Sequence, residues 1–231
     1  MSAGSLIGRL AAIALGGSCF LCRGASARGA LLCDACEADL PALTQERCPR
    51  CALPTPGAQV CGRCLADPPE FDATVAALAY EFPTDVLVKA LKFGSQLALA
   101  AYLAGRVAAL LESAPAVDLI IPVPLHRKRL IERGYNQSVE VARVLARSTR
   151  LPIETGGCER LRDTPAQAGL PLEARRQNMR GAFTCSLSLA GRRVALVDDV
   201  MTTGATLDSL AGVVKRAGAV RVENWVVART L

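Results

Sequence analysis

Val194-Ala195-Leu196-Val197-Asp198-Asp199-Val200-Met201-Thr202-Thr203-Gly204-Ala205-Thr206 is the stretch on which the reading of the whole chain turns. An apolar, β-branched run ends in two adjacent carboxylates and passes into a short turn of hydroxyls and glycine. Beyond it, Leu207, Leu210, Val213 and Val214 recur at helical spacing, one face of an amphipathic helix. Strand, small turn and helix N-terminus together describe a phosphate cradle. Free backbone N–H groups and the positive helix end hold an anion, and Gly204 lets the backbone come close to it. Thr202, Thr203 and Thr206 add hydroxyl donors. No GxxxxGK[ST] precedes the helix, so this is not a Walker loop. Asp198 and Asp199 stand where a sugar attached to the phosphate would present its hydroxyls, and ionised carboxylates accept hydrogen bonds from them. Paired acids followed by Thr-Thr-Gly-Ala-Thr argue against a plain strand end with solvated acids and a capped helix.

The first third of the chain carries a different chemistry. Eight of the chain's ten cysteines fall there in four CxxC pairs, Cys19/Cys22, Cys33/Cys36, Cys48/Cys51 and Cys61/Cys64, with intervals of ten, eleven and nine residues between pairs. Each pair presents two thiolates from a tight knuckle, and two knuckles complete a tetrahedral Cys₄ site, so eight thiols imply two structural zinc ions. Sequential and cross-braced pairing are both open from spacing, with sequential taken as the default. A segment this short and this poor in apolar residues has no core of its own, so metal must supply its folding energy. Ala66-Asp67-Pro68-Pro69 closes it, giving a double zinc ribbon over 1–70 and an α/β domain over 71–231. Cys158 and Cys185 read as buried structural thiols.

Net charge is +6, and residues 121–180 account for the whole excess, with twelve basic against six acidic side chains. A cationic middle beside a phosphate cradle suits a polyanionic ligand. These basic residues are read as lying in two Gly/Pro-bearing loops rather than at helical spacing. Hydrophobic residues make up 51% of the chain with 4% aromatics, and no apolar run approaches the roughly 20 residues of a membrane span. Leu6 to Leu15 reads as an amphipathic starting helix rather than a signal peptide, and the location expected is cytoplasmic. Strands are expected near 71–80, 117–123 and 220–227, and helices over 84–93, 96–111 and 138–148, the last capped by Asn136.

The 194–206 segment resembles the 5-phosphoribosyl 1-pyrophosphate (PRPP) signature of type I phosphoribosyltransferases. Pro122-Val123-Pro124-Leu125, Arg133-Gly134-Tyr135-Asn136-Gln137 and the four CxxC pairs are similar to the ComF family in particular, over nearly the whole chain. The resemblance implies a mainly parallel sheet flanked by helices, with the ligand at the strand carboxyl ends. It implies PRPP bound with Mg²⁺, Asp198 and Asp199 on the ribose, and Thr202, Thr203, Gly204, Ala205 and Thr206 on the 5-phosphate. Residues 124–137 would hold pyrophosphate, with Arg127, Arg129 and Arg133 as clamps, and 160–181 would form a loop closing over PRPP. It implies either phosphoribosyl transfer to an acceptor or a non-catalytic role in DNA uptake. In that second case single-stranded DNA would lie along Lys128, Arg175 and Arg176, and competence-machinery proteins would be partners. The single histidine, His126, reads as a positioning or surface residue. The zinc module is expected near the mouth of the PRPP site.

Overall fold

Strands covered on both faces read as unbroken apolar runs, and such runs pair in parallel at the centre of this protein. The computed structural model describes residues 17–43, 46–111, 116–163 and 181–231. In chain order these form β1 (Gly17–Ser18), β2 (Ala25–Ser26), α1 (Asp34–Ala38), a 3-10 turn (Pro56–Ala58), α2 (Gly62–Ala66), β3 (Ala73–Ala79), α3 (Thr84–Phe93) and α4 (Ala98–Leu111). There follow β4 (Leu119–Pro122), α5 (Arg127–Arg133), α6 (Gln137–Thr149), β5 (Cys158–Arg160), β6 (Phe183–Cys185), β7 (Arg193–Met201), α7 (Ala205–Arg216) and β8 (Arg221–Arg229). The expected starting helix, residues 164–180 and with them Arg175 and Arg176 lie outside the described residues.

The central sheet has the order β3-β8-β7-β4, and every pair in it is parallel. Side chains alternate across the sheet, which divides the apolar residues of β7 and β8 between two cores. Ala195, Val197, Trp225 and Val227 meet the buried faces of α3, α4 and α6. Val194, Leu196, Val222 and Val226 meet α7 on the other side. Asn136 caps α6 by accepting from Ser138 N–H at 2.9 Å and donates its own amide to the Val123 carbonyl at 2.9 Å. One side chain thereby starts the helix and ties it to the end of β4. β5 and β6 form a separate antiparallel pair in which Cys158 faces Cys185. Cys158 is buried and Cys185 only half-buried.

The basic segment is not a loop. Residues 127–133 form α5, capped at its start by His126, whose Nδ1 accepts from Lys128 N–H at 3.3 Å, and closed by Gly134 at φ 79°. The left-handed glycine and the capping side chain satisfy the end groups of a helix that the charge run concealed.

The cysteine-rich segment straddles the β3 edge of the sheet. Its first half joins the α4 face: Cys19, Leu32 and Leu40 enter that core, and Glu37 of α1 accepts from Arg106 at 2.6 Å and from Tyr102. Residues 41–43 then run antiparallel beside β3, with Ala79 N–H on the Pro41 carbonyl at 2.7 Å and Ala42 opposite Leu78. This pairing covers an edge that would otherwise present open N–H and C=O groups. The second half continues onto the α7 face, where Cys48, Cys51, Ala52 and Cys64 are buried with Met201, Leu207 and Leu210. The segment thus borrows both cores of the sheet.

Leu103 of α4 is fully buried against this sheet. Leu103→Ala is expected to cost about 2–5 kcal/mol, read as a lower urea midpoint through the fluorescence of buried Trp225. An unchanged midpoint would show that α4 is not part of the cooperative core.

Candidate functional site

Near the end of β7 both acids are withdrawn from water, Asp198 at 9% exposure and Asp199 at 2%. Each has partners from a different helix. Lys92, in the last turn of α3, places Nζ 2.9 Å from Asp199 Oδ2. Ser138, in the first turn of α6, donates its hydroxyl to Asp198 Oδ1 at 2.9 Å. Backbone amides complete the set: Asp199 N–H donates to Asp198 Oδ1 at 2.9 Å and Val200 N–H to Asp199 Oδ1 at 2.8 Å. Burial raises the Asp198 pKa, and the Asp199 charge adds to it. The opposing pull of Lys92 and Ser138 leaves it at about 7. Burial works against the Lys92 ammonium, but Asp199 and Asp198 outweigh it and hold its pKa above the ordinary value. Lys92 and Ser138 were not among the site residues read from the sequence. Lys92 resembles its neighbour Lys89, which makes a surface pair with Asp85 at 2.6 Å, and no local pattern distinguishes the two.

The turn after the acids joins β7 to α7. Thr202 is exposed, Thr203 and Thr206 are half-exposed, and Gly204 is buried at φ 87°. That left-handed φ is what favours glycine at the helix start, and a Cβ there would also meet the tip of the Met201 side chain, 2.8 Å from Cε. Thr203 Oγ1 accepts from Ala205 N–H at 3.4 Å. Asp208 N–H bonds to the Gly204 carbonyl at 2.8 Å, and the amides of Ala205, Thr206 and Leu207 precede that first helical bond. Beside the turn lies a small, open cleft lined by Arg63, Cys64, Phe71, Thr203, Gly204 and Asp208 among others. Only the second half of the cysteine-rich segment reaches this cleft. The first half sits across the sheet, which narrows the expectation that the module as a whole borders the site.

The arginines read as clamps do not converge. Residues four apart share a helix face, so Arg129 and Arg133 lie together on α5 while exposed Arg127 points away. Arg129 Nε is 2.9 Å from Asp163 Oδ1. Arg133 stacks over the Phe93 ring at 5.0 Å and donates to Gln137. Lys128 is exposed.

The eight cysteines assemble as two sequential tetrads, Cys19/Cys22/Cys33/Cys36 and Cys48/Cys51/Cys61/Cys64, with all four sulfurs of each within 4.8 Å of one another. Zinc with Zn–S bonds near 2.3 Å needs sulfurs about 3.8 Å apart. Cys22 and Cys33 stand at 3.7 Å and Cys51 and Cys61 at 3.5 Å. The Gly24 and Cys61 amides point at Cys22 and Cys48 sulfur at 3.4 and 3.3 Å, the outer hydrogen bonds that a bound thiolate accepts. Both tetrads fit the metal.

Comparison with known proteins agrees with this arrangement. The family described as "Double zinc ribbon domain" matches residues 10–65. "DNA utilization protein YhgH" of Escherichia coli is 35% identical over 93% of this chain and 98% of its own length. "Competence protein F" of Haemophilus influenzae is 37% identical over 74% of this chain and 79% of its own. The chain belongs to the ComF family. Among solved structures, a glutamine PRPP amidotransferase from B. subtilis is similar to this ComF protein over 55% of this chain and 26% of that chain, with 24% identity and a TM-score of 0.38. That likeness is partial, and the fold rests on the strand order above. No helix among the described residues is long and apolar enough to cross a membrane.

Gently purified protein is expected to carry about two zinc ions per chain, and elemental analysis finding one or none counts against the double site. The acid pair predicts a pH effect. The folded protein holds the Asp198 proton more tightly than the unfolded chain, whose carboxyl titrates near 3.8. The resulting stability is present below that value and is lost as pH rises through about 7. Asp198→Asn removes the loss, so the variant should equal or exceed the native protein in urea midpoint at pH 8. A native midpoint that climbs steadily from pH 4 to 8 would contradict the assignment.

Proposed function

We propose that this ComF protein binds PRPP at the carboxyl end of β7 and transfers its phosphoribosyl group to an acceptor with release of pyrophosphate. One observation carries the reading. A buried acid pair ends the central parallel strand and leads directly through left-handed Gly204 into the N-terminus of α7. In an open parallel sheet, ligands settle at such carboxyl ends. A helix start with free amides and nearby hydroxyls suits a phosphate. The paired acids add acceptors for vicinal sugar hydroxyls.

In this reading Asp198 and Asp199 hold the ribose, and residues 202–206 the 5-phosphate. The bond from C1 to the pyrophosphate oxygen breaks while the acceptor bonds to C1, through positive charge spread over C1 and the ring oxygen. Two nearby carboxylates stabilise that charge, and fixed orientation supplies much of the remainder. The carboxylates already accept from Lys92, Ser138 and backbone amides, so they do not form a metal cage. Mg²⁺ would arrive on the oxygens of PRPP and neutralise the leaving group's charge. Arg127, Arg129 and Arg133 remain candidates for pyrophosphate. Arg129 would have to leave Asp163, and Arg133 would have to leave Phe93 and Gln137.

A second reading draws on the names of the relatives, competence and DNA utilization, which support a role in DNA uptake. Arg127 and Lys128 are exposed on α5 beside Leu130 and Ile131, at 42% and 72% exposure. Exposed cations suit the phosphate backbone of single-stranded DNA. There the PRPP site would serve binding rather than transfer, and partners would come from the competence machinery. Thiols arranged as metal ligands rather than disulfides support a cytoplasmic location.

Calorimetry with PRPP and Mg²⁺ tests the first reading. Asp198→Asn/Asp199→Asn should weaken binding at least tenfold while the protein stays folded, and unchanged affinity would remove the ribose assignment. Pyrophosphate release across a panel of nitrogenous acceptors then separates transfer from binding.

A further inference from the structure

Arg229, the last residue of β8, carries its guanidinium at 1% exposure, the largest fully buried side chain among the described residues. Among the described residues it makes no ion pair with a carboxylate. Its partners are backbone carbonyls drawn from two places that the sequence holds far apart. Nε donates to the Cys51 carbonyl at 2.8 Å, inside the second zinc knuckle. Nη1 donates to the Met201 carbonyl at 3.0 Å, to the Thr202 carbonyl and to the Thr230 carbonyl. Met201 and Thr202 are the residues through which β7 leaves the acid pair and enters the 202–206 turn.

We infer that Arg229 is a positioning residue that couples the second zinc site to the 202–206 turn, so that metal at Cys48/Cys51/Cys61/Cys64 sets how tightly the turn holds phosphate. The inference rests on the PRPP reading for its ligand, though not for the coupling itself. A buried guanidinium cannot be left without acceptors, because its desolvation is uncompensated when a partner is removed. Its planar fork also fixes the relative placement of the carbonyls it binds.

The Cys51 carbonyl is held by the knuckle. Ala52 takes φ 58° there, Cys48 N–H donates to the Leu53 carbonyl at 2.7 Å, and Ala52 N–H donates to the Cys48 carbonyl at 2.9 Å. That conformation wraps the chain around two sulfurs, and it is metal that keeps four thiolates together. At the other end, Thr230 N–H donates to the Met201 carbonyl at 3.0 Å. Met201 Cε is the atom that a Cβ on Gly204 would strike. Movement of Met201 is therefore felt at the glycine on which the turn depends. Among the described residues, the first tetrad has no such route: its contacts run to α4 and the β3 edge.

The contrast between the two tetrads provides the test on the full-length protein. Cys61→Ser and Cys33→Ser each remove one half-buried ligand, one from each site, and elemental analysis should find one zinc lost in each. Hydrogen exchange of the Asp208 and Thr230 amides, which bond to the Gly204 and Met201 carbonyls of the turn, measured without ligand, should quicken at least tenfold in Cys61→Ser and stay at the native rate in Cys33→Ser. Arg229→Met should reproduce the Cys61→Ser effect on the turn while keeping both zinc ions. Arg229→Lys, which reaches fewer carbonyls, should fall between. Affinity for PRPP with Mg²⁺, by calorimetry, should drop at least tenfold in Arg229→Met and Cys61→Ser and remain native in Cys33→Ser.

Equal exchange in the two cysteine variants, or native exchange at the turn in Cys61→Ser, overturns the coupling. If Arg229→Met does not fold, the two cysteine variants decide it alone. If the native protein does not bind PRPP, the functional reading fails while the exchange measurement still decides the coupling.

Discussion

Two adjacent carboxylates kept out of water at the end of one strand impose the constraint around which the rest of this protein is arranged. Burying a charged acid is costly unless it is paired and hydrogen-bonded, and a second acid beside it raises that cost. The protein answers with Lys92 from α3, Ser138 from α6 and two amides of β7 itself. Three elements must therefore meet at the carboxyl end of β7 in register. Burial beside Asp199 outweighs these partners at Asp198 and holds its pKa raised. Incompletely neutralised acids of this kind cluster at functional sites, where a ligand supplies the missing hydrogen bonds.

The zinc ribbons solve a different problem by the same means, sharing partners across distance in sequence. Neither ribbon has a core, and metal alone would leave each as a tethered knuckle. Instead one is buried on the α4 face and the other on the α7 face, with residues 41–43 hydrogen-bonded along β3 between them. Removing the ribbons would expose an open sheet edge and apolar surface on both sides. The ribbons are therefore structural parts of the sheet. The second also lines the cleft beside the 202–206 turn, so what stabilises the fold also borders the candidate site.

Where expectation and structure part, the cause is again long-range. The excess of arginine and lysine reads as a loop because charge and glycine dominate the local pattern. His126 and Gly134 cap it into α5, and Asp163 and Phe93, brought in from elsewhere, engage Arg129 and Arg133. Helix periodicity turns Arg127 away from the other two. A set of clamps inferred from nearness in sequence becomes one exposed arginine and two already engaged.

Local sequence was enough to determine where the central strands lie, the order of strand, acids, turn and helix at 194–216, the Asn136 cap and the ligand types of the two cysteine tetrads. These follow from apolar periodicity, from capping chemistry and from the short reach of a CxxC knuckle, all interactions between residues a few positions apart. Tertiary structure alone decided which tetrad lies by the turn, that Lys92 rather than Lys89 faces the acids, and that Arg229 joins Cys51 to Met201 and Thr202. Each of these is a contact between elements distant in the chain. Such a contact is set by how two faces of one sheet are covered, and no stretch of sequence carries that information by itself.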